Sequence, residues 1–147
     1  LRGNPGKRPL PAGEAEHPIA PTIPEPPRFL LPDAKAEWRR LAPGLYHMHL
    51  LTVVDEMTFA AYCQAYARWV AAETALKAMA ERDELTHGLL IKTHEGNAIQ
   101  NPLVGTANRA SRNMISYATE FGFTPASRAR VAGGPNPSPG RFDGLIG

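Results

Sequence analysis

From the amino terminus, the pattern of apolar and polar residues first forbids helix and then demands it. Nine prolines fall within residues 1–32. They fix φ and remove backbone donors, so this stretch is expected to be an extended arm near polyproline II. Asp33 follows Pro32 as a helix N-cap, and residues 34–41 bring Trp38 and Leu41 onto one face of a short helix. Pro43-Gly44 is expected to end it, and a second short apolar stretch follows over 45–51. Thr52-Val-Val-Asp55 is the next start signal: the threonine can cap, and Asp55 and Glu56 suit the positive end of the dipole. Neither glycine nor proline recurs before Gly88, which predicts one long helix over 53–84.

The long helix carries no charge from Thr58 to Ala67, and Phe59, Ala60, Ala61, Tyr62, Cys63, Tyr66 and Ala67 surround its axis. A helix apolar on every side must be covered on every side. About 100 residues remain for a packed unit, so these seven positions are read as an oligomer interface. The second half turns polar, with Glu73, Lys77 and Glu81 in i, i+4 register. Leu90, Ile91 and Thr93, the Gly96-Asn97 step, then Ala98 and Ile99 read as a small β-hairpin. Asn101-Pro102 opens another helix to about Glu120, Gly122 closes it, and Thr124-Pro125 starts a last short one. The predicted fold is therefore mainly α. A long central helix with short flanking helices and one hairpin fills 33–132, between the proline-rich arm (1–32) and a Gly/Pro-rich tail (133–147).

Charge refines this picture through its distribution, because the net value of +2 is small. Arg2, Lys7 and Arg8 stand in the first ten residues without an acid, while residues 33–84 hold six basic and eight acidic side chains. Residues 102–132 carry Arg109, Arg112, Arg128 and Arg130 against one acid, Glu120. Basic ends around an acidic middle suit phosphate contacts. Arg109 and Arg112 share a helix face at i, i+3. Arg39 and Arg40 are further candidates, although they also suit the negative end of their own helix. The arm has no core to serve, which makes its three cations the leading phosphate ligands.

Catalytic chemistry finds little support. His87, His94, Glu95 and Asn97 cluster around the hairpin in the manner of a small metal nuclease, but no following helix supplies a second histidine. No Gly-Lys-Ser/Thr follows the arm's glycines, and no serine has a nucleophile-elbow context. The expectation is a protein without enzymatic activity, metal or cofactor. Cys63 is the single cysteine, which fits an inert buried thiol in a reducing compartment. No apolar run is long enough to span a membrane.

Several stretches resemble one family of phage terminase small subunits. They are Leu1-Arg-Gly-Asn-Pro-Gly-Lys-Arg-Pro-Leu10, Trp38-Arg-Arg-Leu-Ala-Pro43, Leu51-Thr-Val-Val-Asp55, Tyr62-Cys-Gln-Ala-Tyr-Ala-Arg-Trp69, Asn101-Pro102 and Phe121-Gly-Phe-Thr-Pro-Ala-Ser-Arg-Ala-Arg130. Their order and spacing carry the likeness from residue 1 to about 131. The resemblance implies a non-catalytic, ring-forming homo-oligomer in the host cytoplasm. Its partners would be double-stranded viral DNA and the large terminase subunit, which carries the packaging ATPase and nuclease. The chain departs from the wider group in lacking a clean helix-turn-helix, since the stretch after Pro43-Gly44 has no arginine or lysine. Backbone contacts are therefore expected over groove reading. A helical head-completion or connector protein is the structural alternative, and the hairpin nuclease is the catalytic one.

Overall fold

The computed structural model describes residues 22–132, without the side chains of 129–132. Arg2, Lys7, Arg8, the Arg130 side chain and the tail over 133–147 lie outside the described residues. The elements run α1 (Pro32–His47), α2 (Glu56–Ala80), β1 (Leu90–Lys92), β2 (Ala98–Gln100), α3 (Pro102–Glu120) and α4 (Pro125–Ala132). The mainly helical class, the long central helix and the single antiparallel hairpin agree with expectation.

The first helix does not. It begins with Leu31 as N-cap and Pro32 in its first turn, so Asp33 acts through the helix dipole rather than as the cap. It then continues through Pro43-Gly44 to His47, merging the two expected short segments. An interior proline forfeits a hydrogen bond and strains the preceding turn, at a cost of about 3 kcal/mol. Ala42 and Leu45 flank it and are both buried in the core, and this packing outweighs the local preference. The end is a Schellman motif: Leu50 N–H donates to the Leu45 carbonyl and His49 N–H to that of Tyr46, with His49 left-handed at φ 58°. The same motif closes α3, around Gly122 at φ 70° as expected, through Phe123 N–H to Ala118 and Gly122 N–H to Thr119.

The central helix is shorter than the expected 53–84, because side chains compete for the backbone at both ends. Before it, the Asp55 carboxylate accepts from Thr52 N–H (3.0 Å) and Thr52 Oγ1 (2.6 Å), forming a turn that holds 52–55 out of the helix. After it, Asp83 accepts the N–H groups of Leu85, Thr86 and Gly88 and the Thr86 hydroxyl, winding the chain into a tight turn. These hydrogen bonds hold the Asp83 carboxyl well below the ordinary carboxylate value, at about 2. His87 (φ 50°) and Gly88 (φ 73°) complete the turn in left-handed conformations. A Cβ on Gly88 would come within 2.8 Å of the Met79 side chain, so the close approach requires glycine. Asn101 then locks the hairpin base: its amide donates to the Gly88 carbonyl (2.8 Å), while its oxygen caps α3 by accepting from Leu103 N–H (3.0 Å).

α2 lies between α1 and α3 and runs antiparallel to both. Trp38 and Glu37 of α1 meet Phe59 and Tyr62, while Leu31 reaches Gln64 farther along α2. Phe121, just past α3, meets Phe59 near the start of α2, and Asn101 reaches Met79 near its end. The core centres on Phe59, with ring centroids 4.5 Å from Trp38, 5.6 Å from Phe121 and 6.1 Å from Tyr62. Leu30 belongs to the same cluster, so the end of the arm contributes to the core. Pro24 fastens that segment to α1 by accepting from Trp38 Nε1 at 2.8 Å.

A carboxylate is buried at the α1–α2 seam. Glu37 is 3% exposed, accepts a two-pronged contact from Arg40 (2.7 and 2.6 Å), and also accepts from the Tyr62 hydroxyl at 3.1 Å. This contact raises the Arg40 pKa, and burial together with the Glu37 charge pushes the Tyr62 hydroxyl up. Arg40→Ala would leave the buried carboxylate with one donor. We expect a loss of about 1–3 kcal/mol, read as a lower urea midpoint at unchanged slope. A second expectation concerns acid. The Asp83 contribution is fully present above the unfolded carboxyl value of about 4 and is lost as pH falls through about 2. Asp83→Asn should therefore flatten the fall in stability between those values, measured by urea unfolding across the acid range.

Candidate nucleic-acid interface

α3 presents two unlike faces. Ala107 and Ala110 are buried against α2, with Met114, Tyr117 and Ala118 packed at the core's edge. The opposite face carries Asn108, Arg109, Arg112 and Ser116, all exposed. This follows from the helical period, which sets 109, 112 and 116 on the side away from 107, 110, 114 and 118.

No aspartate or glutamate occurs in α3 before its last residue, Glu120. Arg112 Nε donates to the Asn108 carbonyl at 3.3 Å, and the Arg109 guanidinium lies over Gly105, 3.3 Å from where a Cβ would stand. Neither has a carboxylate partner among the described residues. Their charge is thus left for an external anion, and both side chains are already laid along one face. A surface of this kind can hold phosphate oxygens.

The other cations separate into distinct environments. Arg40 is 65% exposed yet committed to Glu37, so its first role is to neutralise a buried charge. Its neighbour Arg39 is exposed on α1, and Arg128 is exposed on α4. Arg128 follows a cap in which Thr124 Oγ1 accepts from Ser127 N–H while Ser127 Oγ accepts from Thr124 N–H (both 3.1 Å).

The residues expected at a subunit interface lie mostly in the core instead. Phe59, Ala60, Tyr62, Cys63 and Ala67 are buried within the single chain, by α1, α3 and the Phe121–Phe123 turn. One small subunit does cover this helix, because α1 is longer than expected and supplies the missing side. Burial also pushes the Cys63 thiol up to about 12, as suits an inert core cysteine. Ala61 and Tyr66 are the half-buried members of the set. Tyr66 lines a cleft with Glu37 and Arg40, and Ala61 lines a groove between α2 and α3. That groove, with Phe29 and Tyr117 in its walls, was not visible in sequence, since its sides come from segments far apart in the chain.

Around the hairpin, His87, His94, Glu95 and Asn97 are exposed. Among the described residues, no three His, Cys, Asp or Glu side chains are grouped to hold a metal ion. No helix among them is long and apolar enough to cross a membrane.

Comparison with known proteins agrees with the likeness seen in the motifs. No curated protein and no solved structure matches the chain. Residues 34–138, however, match the family model described as phage terminase, small subunit, a span that runs from the first turn of α1 through the hairpin to α4. The chain belongs to the phage terminase small-subunit family.

Proposed function

We propose that this protein is the DNA-engaging, non-catalytic subunit of a packaging terminase, acting in the host cytoplasm as a homo-oligomeric ring. In this reading it holds double-stranded viral DNA and recruits or stimulates the large subunit, which supplies ATPase and nuclease activity. The observation that carries the DNA-binding part is the outer face of α3, where Arg109 and Arg112 are exposed, unpaired among the described residues and free of neighbouring acids. Family membership supports the packaging role.

The arm adds to the same task. Arg2, Lys7 and Arg8 would bring further cations to the duplex, and Arg39 and Arg128 are exposed candidates for the flanking phosphates. Contacts of this type release counterions and carry little sequence information. In a ring each cation recurs once per subunit, so modest contacts combine through multivalency.

Two double variants test the assignment by equilibrium binding to unrelated duplexes over a range of salt. Lys7→Ala with Arg8→Ala, and separately Arg109→Ala with Arg112→Ala, should each weaken binding to all duplexes alike. Each should also flatten the dependence of log affinity on log salt, by about 0.9 for every phosphate no longer neutralised. The native mass of both variants should be unchanged. Unaltered affinity and slope in both would remove these residues from the interface.

A further inference from the structure

Among the apolar side chains left exposed in the described residues, a pair of features stands at opposite ends of α2. One is concave. The groove between α2 and α3, of about 260 Å³, is floored by Ala60, Ala61 and Ala65 and walled by Phe29 and Tyr117. Phe29 is 68% exposed there. Arg68 lines the groove too, and none of the lining residues is a carboxylate. The other feature is convex. Leu85, in the turn after α2, is 90% exposed, the highest value among the large apolar side chains described. It is not a loose loop residue, because its N–H is held by Asp83 at 3.2 Å within the turn that Asp83 organises.

The two features also carry opposite charge. The turn bears Glu81, Asp83 and Glu84 against Arg82, a local charge of −2. The groove presents Arg68, which has no carboxylate partner among the described residues. Ala61 and the end of α2 at Ala80 are 19 residues apart, or about 29 Å at the helical rise. A rigid helix therefore prevents Leu85 from reaching the groove of its own chain.

We propose that the Leu85 turn of one copy seats in the Phe29–Tyr117 groove of the next, with Glu84 beside Arg68. The contact joins two different surfaces and is heterologous, so it propagates head to tail and closes into a ring when the rotation permits. The seam then lies along the groove, whose α3 side is Asn113 and Tyr117, and Arg109 and Arg112 are not among the residues that line it. The inference rests on the ring assembly proposed above and specifies the surfaces that form it.

The full chain and its variants are compared by native mass spectrometry and dilution. Leu85→Ser and Arg68→Glu should each raise the concentration of half-dissociation at least about tenfold, equivalent to roughly 1.4 kcal/mol. Both leave the helical circular dichroism unchanged, since both side chains are exposed in the single chain. Arg68→Glu combined with Glu84→Arg should restore the assembly. Oxidised Ala61→Cys with Leu85→Cys should give a covalent ladder beyond the dimer, whereas Leu85→Cys alone should not cross-link. An intact assembly in both single variants, or efficient dimers from Leu85→Cys alone, overturns this interface while leaving ring assembly in place. A monomeric unmodified chain overturns the assembly reading and this interface together.

Discussion

Everything in this chain depends on how the uncharged half of α2 is covered. A helix apolar around its circumference cannot remain in water, and here Phe59 and its neighbours are enclosed by Trp38 on one side and by Phe121 and Phe123 on the other. That enclosure requires α1 to pass through Pro43-Gly44, because Ala42 and Leu45 lie on the covering face. It also requires the chain beyond α3 to turn back at Gly122, which brings Phe121 and Phe123 onto α2. The buried Glu37, with Arg40 and Tyr62, lies on the same seam and, with the Leu31 N–H donating to Gln64, adds directional contacts to the apolar packing of α1 on α2.

The functional surfaces are what this packing leaves over. α3 spends its alanine face on α2, so its arginines face outward without carboxylates beside them. The uncharged half of α2 is closed by α1 and α3 except at the groove over Ala61 and the cleft beside Tyr66, and the second half of the helix is exposed on its charged side. The turn held by Asp83 and the base locked by Asn101 fix the direction in which the hairpin end projects. Core, cation face and apolar end thus occupy separate parts of one small unit, an arrangement that suits the assembly and DNA contact proposed above.

Much of this was legible in the sequence, for identifiable reasons. Strong local signals held: Asn101-Pro102 as a cap and first turn, Gly122 as a left-handed terminus, Gly96 in a hairpin turn, and a long helix free of glycine and proline. That Arg109 and Arg112 share one helix face followed from helical period alone. What could not be read depended on distant partners. Pro43 looks like a helix breaker until Leu45 is known to be buried. Asp83 and Asp55 look like ordinary helix-end charges until their carboxylates are seen bonding backbone outside the helix. Glu37 gives no sign in sequence of being a buried carboxylate. The apolar residues of α2 were read as a partner's surface because α1 was expected to stop too soon.

We propose that a chain of this family, with an acid-free arginine face on α3, grips DNA through its phosphates. The most direct measurement is the affinity of the unmodified protein for two unrelated duplexes of equal length across a range of monovalent salt. Phosphate contact should give the same affinity for both and a steep linear fall of log affinity with log salt, reporting several phosphates neutralised at once. Absent binding at low salt, or affinity that barely responds to salt, would contradict it.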